Sequence, residues 1–163
     1  MTIAEQLKLV EAALADWCRT NNGRVYIASD AQDCLDQLRS RPAAPTCAVL
    51  WYGWETRGDI PELGRKDQLY KLVISRGRGM NLVSGDSLTK GTAGGKPMFD
   101  LMQEAAQVVF GLRLDDLAGN EDSVPRDMGA GPWEVNGWLL DAMEVRFSLA
   151  NQVEVEGVMQ NEE

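Results

Sequence analysis

Histidine does not occur anywhere in the 163 residues of the chain. That removes the usual general base, the Ser-His-Asp arrangement and the commonest metal ligand. Carboxylate or lysine chemistry stays open, yet no paired-carboxylate motif stands out from the many acids. The three cysteines, Cys18, Cys34 and Cys47, have no metal-ligand spacing, and their odd number argues against a disulfide framework. The expectation is synthesis in a reducing, intracellular setting. No stretch of about eighteen apolar residues is present, so neither a membrane span nor a membrane partner is expected. Met1-Thr2-Ile3 leads directly into an amphipathic pattern with Glu5 and Lys8, unlike a signal peptide.

A phosphate cradle is also missing, although residues 85–97, GDSLTKGTAGGKP, invite the question. A Walker-type loop needs glycine at the position of Lys90 and a hydroxyl residue at the position of Pro97. A dinucleotide fingerprint fails as well, because Arg76-Gly77-Arg78-Gly79 is followed by no third glycine at the required spacing. The run reads as a loop leading into a helix at Pro97. No cofactor, no metal and no enzymatic activity are expected.

What the chain does have is charge, unevenly placed. Its net charge is −9, but residues 1–100 carry 13 Lys and Arg against 12 Asp and Glu, whereas residues 101–163 carry 3 against 13. Within 57–96, eight cations face four acids. A basic middle and an acidic end are either ordinary solvated faces or complementary patches that register neighbouring subunits. The acidic balance opposes phosphate binding by the chain as a whole.

Periodicity gives the order α β α β β α β. Ile3, Leu7, Val10, Leu14 and Trp17 recur at helical spacing, Thr2 and Glu5 form a capping box, and Asn21-Asn22-Gly23 stops the helix. Residues 24–27 read as a short strand, and a second helix is capped by Ser29 or Asp30. TCAVLWYGWETR (46–57) and QLYKLVIS (68–75) read as strands that pair as a long hairpin with an extended tip. Pro97 opens a helix with an apolar stripe of Met98, Leu101, Met102, Ala105, Val109 and Leu112. Residues 76–96 and 115–132 read as irregular, and 133–155 as a closing strand. The expected fold class is α+β: a mainly antiparallel sheet with helices packed on one face, in one domain over 1–155 with a flexible acidic tail at 156–163.

Strict alternation puts Trp51 on one face of its strand and Tyr52 and Trp54 on the other. Two-sided burial under loops is one account; a sheet surface that packs on another subunit is the other. The candidate interface residues are Trp51, Trp54, Arg57, Arg65, Lys66, Arg76, Arg78, Lys90 and Lys96, opposed by Asp115, Asp116, Glu121 and Asp122.

The element order, the proline-marked strand Cys47 to Arg57 with its partner Leu69 to Ser75, the helix Pro97 to Leu114 and the closing run GWLLDAMEVRFSL (137–149) together resemble the tail terminator (tail completion) and minor tail proteins of long-tailed bacteriophages. The resemblance spans most of residues 1–155. It implies a non-enzymatic virion protein at the upper end of the tail, assembled in the host cytoplasm. Such a protein forms a ring, commonly six-fold, that caps the tail tube, ends its polymerisation and joins the head connector. The implied partners are copies of itself, the tube protein and the connector proteins, with DNA passing through the lumen unread. The alternatives are a neck, head-completion or tube subunit of the same machine, a small His-free enzyme, or a monomeric adaptor.

Overall fold

A computed structural model describes residues 2–40, 45–57, 65–77, 89, 96–113, 124–133 and 140–151. Helix α1 runs over Ile3–Thr20 and is held at both ends by local chemistry. Thr2 and Glu5 complete the capping box, each side chain accepting from the other's backbone N–H. At the other end Asn22 takes the left-handed conformation at φ 57°. The N–H of Gly23 then reaches the carbonyl of Cys18 at 2.7 Å and that of Asn22 reaches Arg19 at 3.0 Å, a Schellman closure. Gly23 is needed for close approach: a Cβ there would sit 2.6 Å from the Pro45 carbonyl oxygen.

Strand β1 (Arg24–Ile27), helix α2 (Ala31–Ser40) and strand β2 (Thr46–Arg57) follow, with β1 and β2 parallel. A parallel pair requires a crossover, and α2 supplies it. Asp30 caps α2 by accepting from the N–H of Asp33 at 2.8 Å. Strand β3 (Arg65–Gly77) returns antiparallel to β2 from Arg57↔Arg65 to Thr46↔Ser75, so the expected long hairpin is present. Helix α3 (Met98–Phe110) begins just after Pro97, and strands β4 (Arg126–Pro132) and β5 (Leu140–Asn151) complete the chain's described elements. The five strands lie in the order β1-β2-β3-β5-β4, antiparallel except for the first pair.

The α+β class with a mainly antiparallel sheet holds, with two corrections. The expectation of irregular structure over 115–132 fails at Arg126–Pro132, which is a strand, and of the closing strand expected over 133–155 the described part is Leu140–Asn151, with 134–139 and 152–155 outside the described residues. Gly and Pro in RDMGAGP hide the strand from propensity; an edge position tolerates both. Secondly, the helices do not all share one face. Val10 and Leu14 of α1 and Leu101 and Val109 of α3 are buried against Val49, Leu72, Val145 and Phe147. Cys34 of α2 packs with Ala48, Leu50 and Val73, whose side chains point the other way along the same strands. The crossover helix of the parallel pair thus covers the second face. The proposed acidic tail at 156–163 lies outside the described residues.

One buried polar link ties α1 to the sheet. The Tyr70 hydroxyl donates to Gln6 Oε1 at 2.5 Å, and Gln6 Nε2 donates to the Ala150 carbonyl at 3.0 Å. Gln6 is 1% exposed, so both of its amide ends are satisfied inside the core.

A candidate subunit interface on the β2–β3 hairpin

The register explains where the hairpin's exposed residues lie. β1 pairs with β2 only from Thr46 to Val49. Beyond Val49, among the described residues, no strand pairs with the outer edge of β2, while β3 continues along its inner edge to Arg57. Trp51, Tyr52 and Trp54 on this stretch are 36%, 42% and 48% exposed.

Their arrangement departs from strict alternation. The ladder slips between Trp51 and Gly53: Trp51 pairs with Tyr70 and Gly53 with Leu69, leaving Tyr52 as an extra residue. This β-bulge is built on Gly53, whose φ of 131° suits glycine. It reverses the parity, so Trp51 and Trp54 share one face and Tyr52 faces the other, which corrects the expectation that Trp54 lies with Tyr52. The two indoles have centroids 6.1 Å apart at 43°. Trp51 Nε1 donates to Gln68 Oε1 at 2.8 Å, which fixes that ring. Lys66 Nζ lies 5.4 Å from the Trp54 ring centroid, a cation–π contact, and 3.3 Å from Thr56 Oγ1. The result is a shelf of two indoles and an ammonium group on the face that α1 and α3 cover nearer the hairpin's base.

On the opposite face Lys71 Nζ lies 5.0 Å from the Tyr52 ring centroid and 3.5 Å from Glu144 Oε2. Burial pushes the Tyr52 phenol above its ordinary pKa. A cleft of about 290 Å³ on this side is lined by Ser29, Asp30, Tyr52, Lys71 and Trp133, among others. Among the described residues no cluster of three or more metal-ligating side chains occurs, and no helix is long and apolar enough to cross a membrane. All three cysteines are free and buried. The hydrogen bond to Cys18, and then burial, pushes the Cys47 thiol well up, and burial pushes Cys34 up to about 12.

Of the residues singled out from sequence, Trp51, Trp54, Arg57, Arg65 and Lys66 fall together on the distal half of the hairpin, with Arg57 and Arg65 directly opposite in register. Arg76 does not join them. It lies toward the other end of β3 and is 2% exposed, because the strand runs on to Gly77 and keeps it inside. Lys96 stands beside the start of α3, where its ammonium binds Glu104 Oε1 at 2.8 Å. Arg78, Lys90, Asp115, Asp116, Glu121 and Asp122 lie outside the described residues. Gln68, which orients Trp51, was missed from sequence; Gly53 inside a strand pattern was the available signal for the bulge. No protein-family model and no curated protein sequence matches the chain.

Proposed function

We propose that the chain is a structural subunit of a phage or phage-like tail, a terminator-type protein that assembles into a ring, capping the tube and meeting the head connector. The distal half of the β2–β3 hairpin is the contact through which it assembles. One observation carries this reading: a strand edge with no described partner bears three exposed aromatic side chains. Exposed aromatic strand edges invite pairing, and Trp and Tyr are favoured at interfaces. The same stretch carries Arg57, Arg65 and Lys66, cations that suit an acidic patch on a neighbouring copy. The tail assignment itself rests on the resemblance in element order and in the closing strand.

Reversing charge with Arg57→Glu, Arg65→Glu and Lys66→Glu together tests it. The variant is expected to keep its circular dichroism spectrum and to yield tails of uncontrolled length or without heads. Normal tails from this variant would overturn the contact. The aromatic-walled cleft favours a second reading, a chain that binds a small molecule. Clear thermal stabilisation by nucleotides with Mg²⁺ would favour it over the ring.

A further inference from the structure

We infer that the outer edge of β2 from Trp51 to Arg57, unpaired among the described residues, and its tryptophan shelf receive residues 152–163 from a second copy of this chain. The inference rests on the ring reading and names the segment that makes the contact.

Three observations carry it. The first is the acceptor. From Trp51 to Arg57 the outer backbone edge of β2 has no strand partner among the described residues, so an added extended segment would gain ladder hydrogen bonds there. Beside that edge lie the Trp51–Trp54 shelf and the ammonium of Lys66. The second is the donor's composition. Residues 152–163 read QVEVEGVMQNEE, with four glutamates and no lysine or arginine. Val153-Glu154-Val155-Glu156 alternates, which in an extended segment gives one apolar and one acidic row. The apolar row suits the indoles, and the segment's overall negative charge suits the cations of the hairpin's distal half, Arg57, Arg65 and Lys66. The third is where the segment departs. Asn151, the last residue of β5, is in register with Lys66, so the segment leaves the sheet at the basic end of the hairpin, on the side of β3 away from β2.

A donor segment and an acceptor edge are two different patches of one subunit. Contacts of that kind are heterologous, and they close into rings when the rotation between subunits allows. A symmetric pairing of two β2 edges would stop at a dimer.

The test uses the full chain in two variants. The hairpin variant carries Arg57→Glu, Arg65→Glu and Lys66→Glu; the segment variant carries Glu154→Lys and Glu156→Lys. Each alone is expected to stay monomeric in sedimentation at concentrations where their equimolar mixture associates, because acid meets base at both contacts in the mixture. A synthetic QVEVEGVMQNEE peptide carrying a fluorescent label is expected to bind the segment variant, read by the anisotropy of the label. Adding Trp51→Ala and Trp54→Ala should weaken that binding tenfold or more. No peptide binding would overturn the inference. Peptide binding with a mixture that stays monomeric would also overturn it, since the segment would then fold back on its own chain. Failure of the ring reading has a different signature: tails of normal length and composition formed without the chain.

Discussion

Gln6 is the residue on which the helix-to-sheet geometry turns. Its amide accepts from Tyr70 and donates to Ala150, both in the core. Gln6→Ala leaves a buried hydroxyl and a buried carbonyl short of a partner, which costs about 1–3 kcal/mol. The expected outcome in urea unfolding is a lower midpoint at unchanged slope. Pairing Gln6→Leu with Tyr70→Phe should recover part of the loss, because the hydroxyl then goes together with its acceptor while the Ala150 carbonyl stays short of a partner. Gly53 is the second decisive residue. A β-branched side chain at φ 131° is strained, and Gly53→Val should cost on the order of 1–3 kcal/mol. It should also alter tryptophan fluorescence, because the bulge is what brings Trp51 and Trp54 to one face. An unchanged spectrum and midpoint would show that the bulge does not depend on glycine.

Between elements, a clasp from α1 to α3 responds to pH. Glu104 Oε1 accepts from Lys96 Nζ at 2.8 Å and from Trp17 Nε1 at 3.1 Å. The hydrogen bond from Lys96 holds the Glu104 carboxyl below the ordinary glutamate value of 4.5, with Trp17 adding to it. A depressed carboxylate pKa contributes stability that is full above that value and is lost as pH falls through the lower folded one. The stability gap between the native chain and Glu104→Gln should therefore be constant near neutral pH and shrink on acidification below about 4.5. Chemical unfolding at several pH values reads it, and a gap that widens in acid would contradict the clasp.

The elements also differ in how far the residues announce them. Thr2, Glu5 and Asn21-Asn22-Gly23 bound α1 by local chemistry, which is why both its ends are legible. The hairpin is legible because β-branched and aromatic residues fill both strands. Arg126–Pro132 is not, because pairing with β5, rather than intrinsic preference, makes it a strand. The role of Gln6 is hidden for a similar reason. It occupies the helical row of Val10, Leu14 and Cys18, and a polar residue in such a row reads as an edge until its partners are known. At the hairpin, the cluster Trp51, Trp54, Arg57, Arg65 and Lys66 was legible from composition, whereas the sharing of one face by the two tryptophans required the slip in register.

For the molecule as a whole, net charge sets conditions on assembly. A chain of net charge −9 repels its copies at long range, and opposite local charges must overcome this at the contact. Self-association should therefore depend on ionic strength: screening weakens the repulsion and also the attraction between the hairpin cations and acidic segments. In the native chain the two effects oppose, whereas in the charge-reversed hairpin variant both the net and the local charges repel, so its association should rise more steeply with added salt than that of the native chain. Sedimentation across a salt series reads this.

On the proposed reading, copies of the chain meet in a tail through the distal half of the β2–β3 hairpin. Imaging assembled tails finely enough to place that hairpin tests it most directly. The expected result is a ring at the upper end of the tube, with Trp51 and Trp54 buried in the seam between adjacent subunits. A ring whose hairpins point into solvent away from every neighbour, or tails that do not contain the chain, would contradict it.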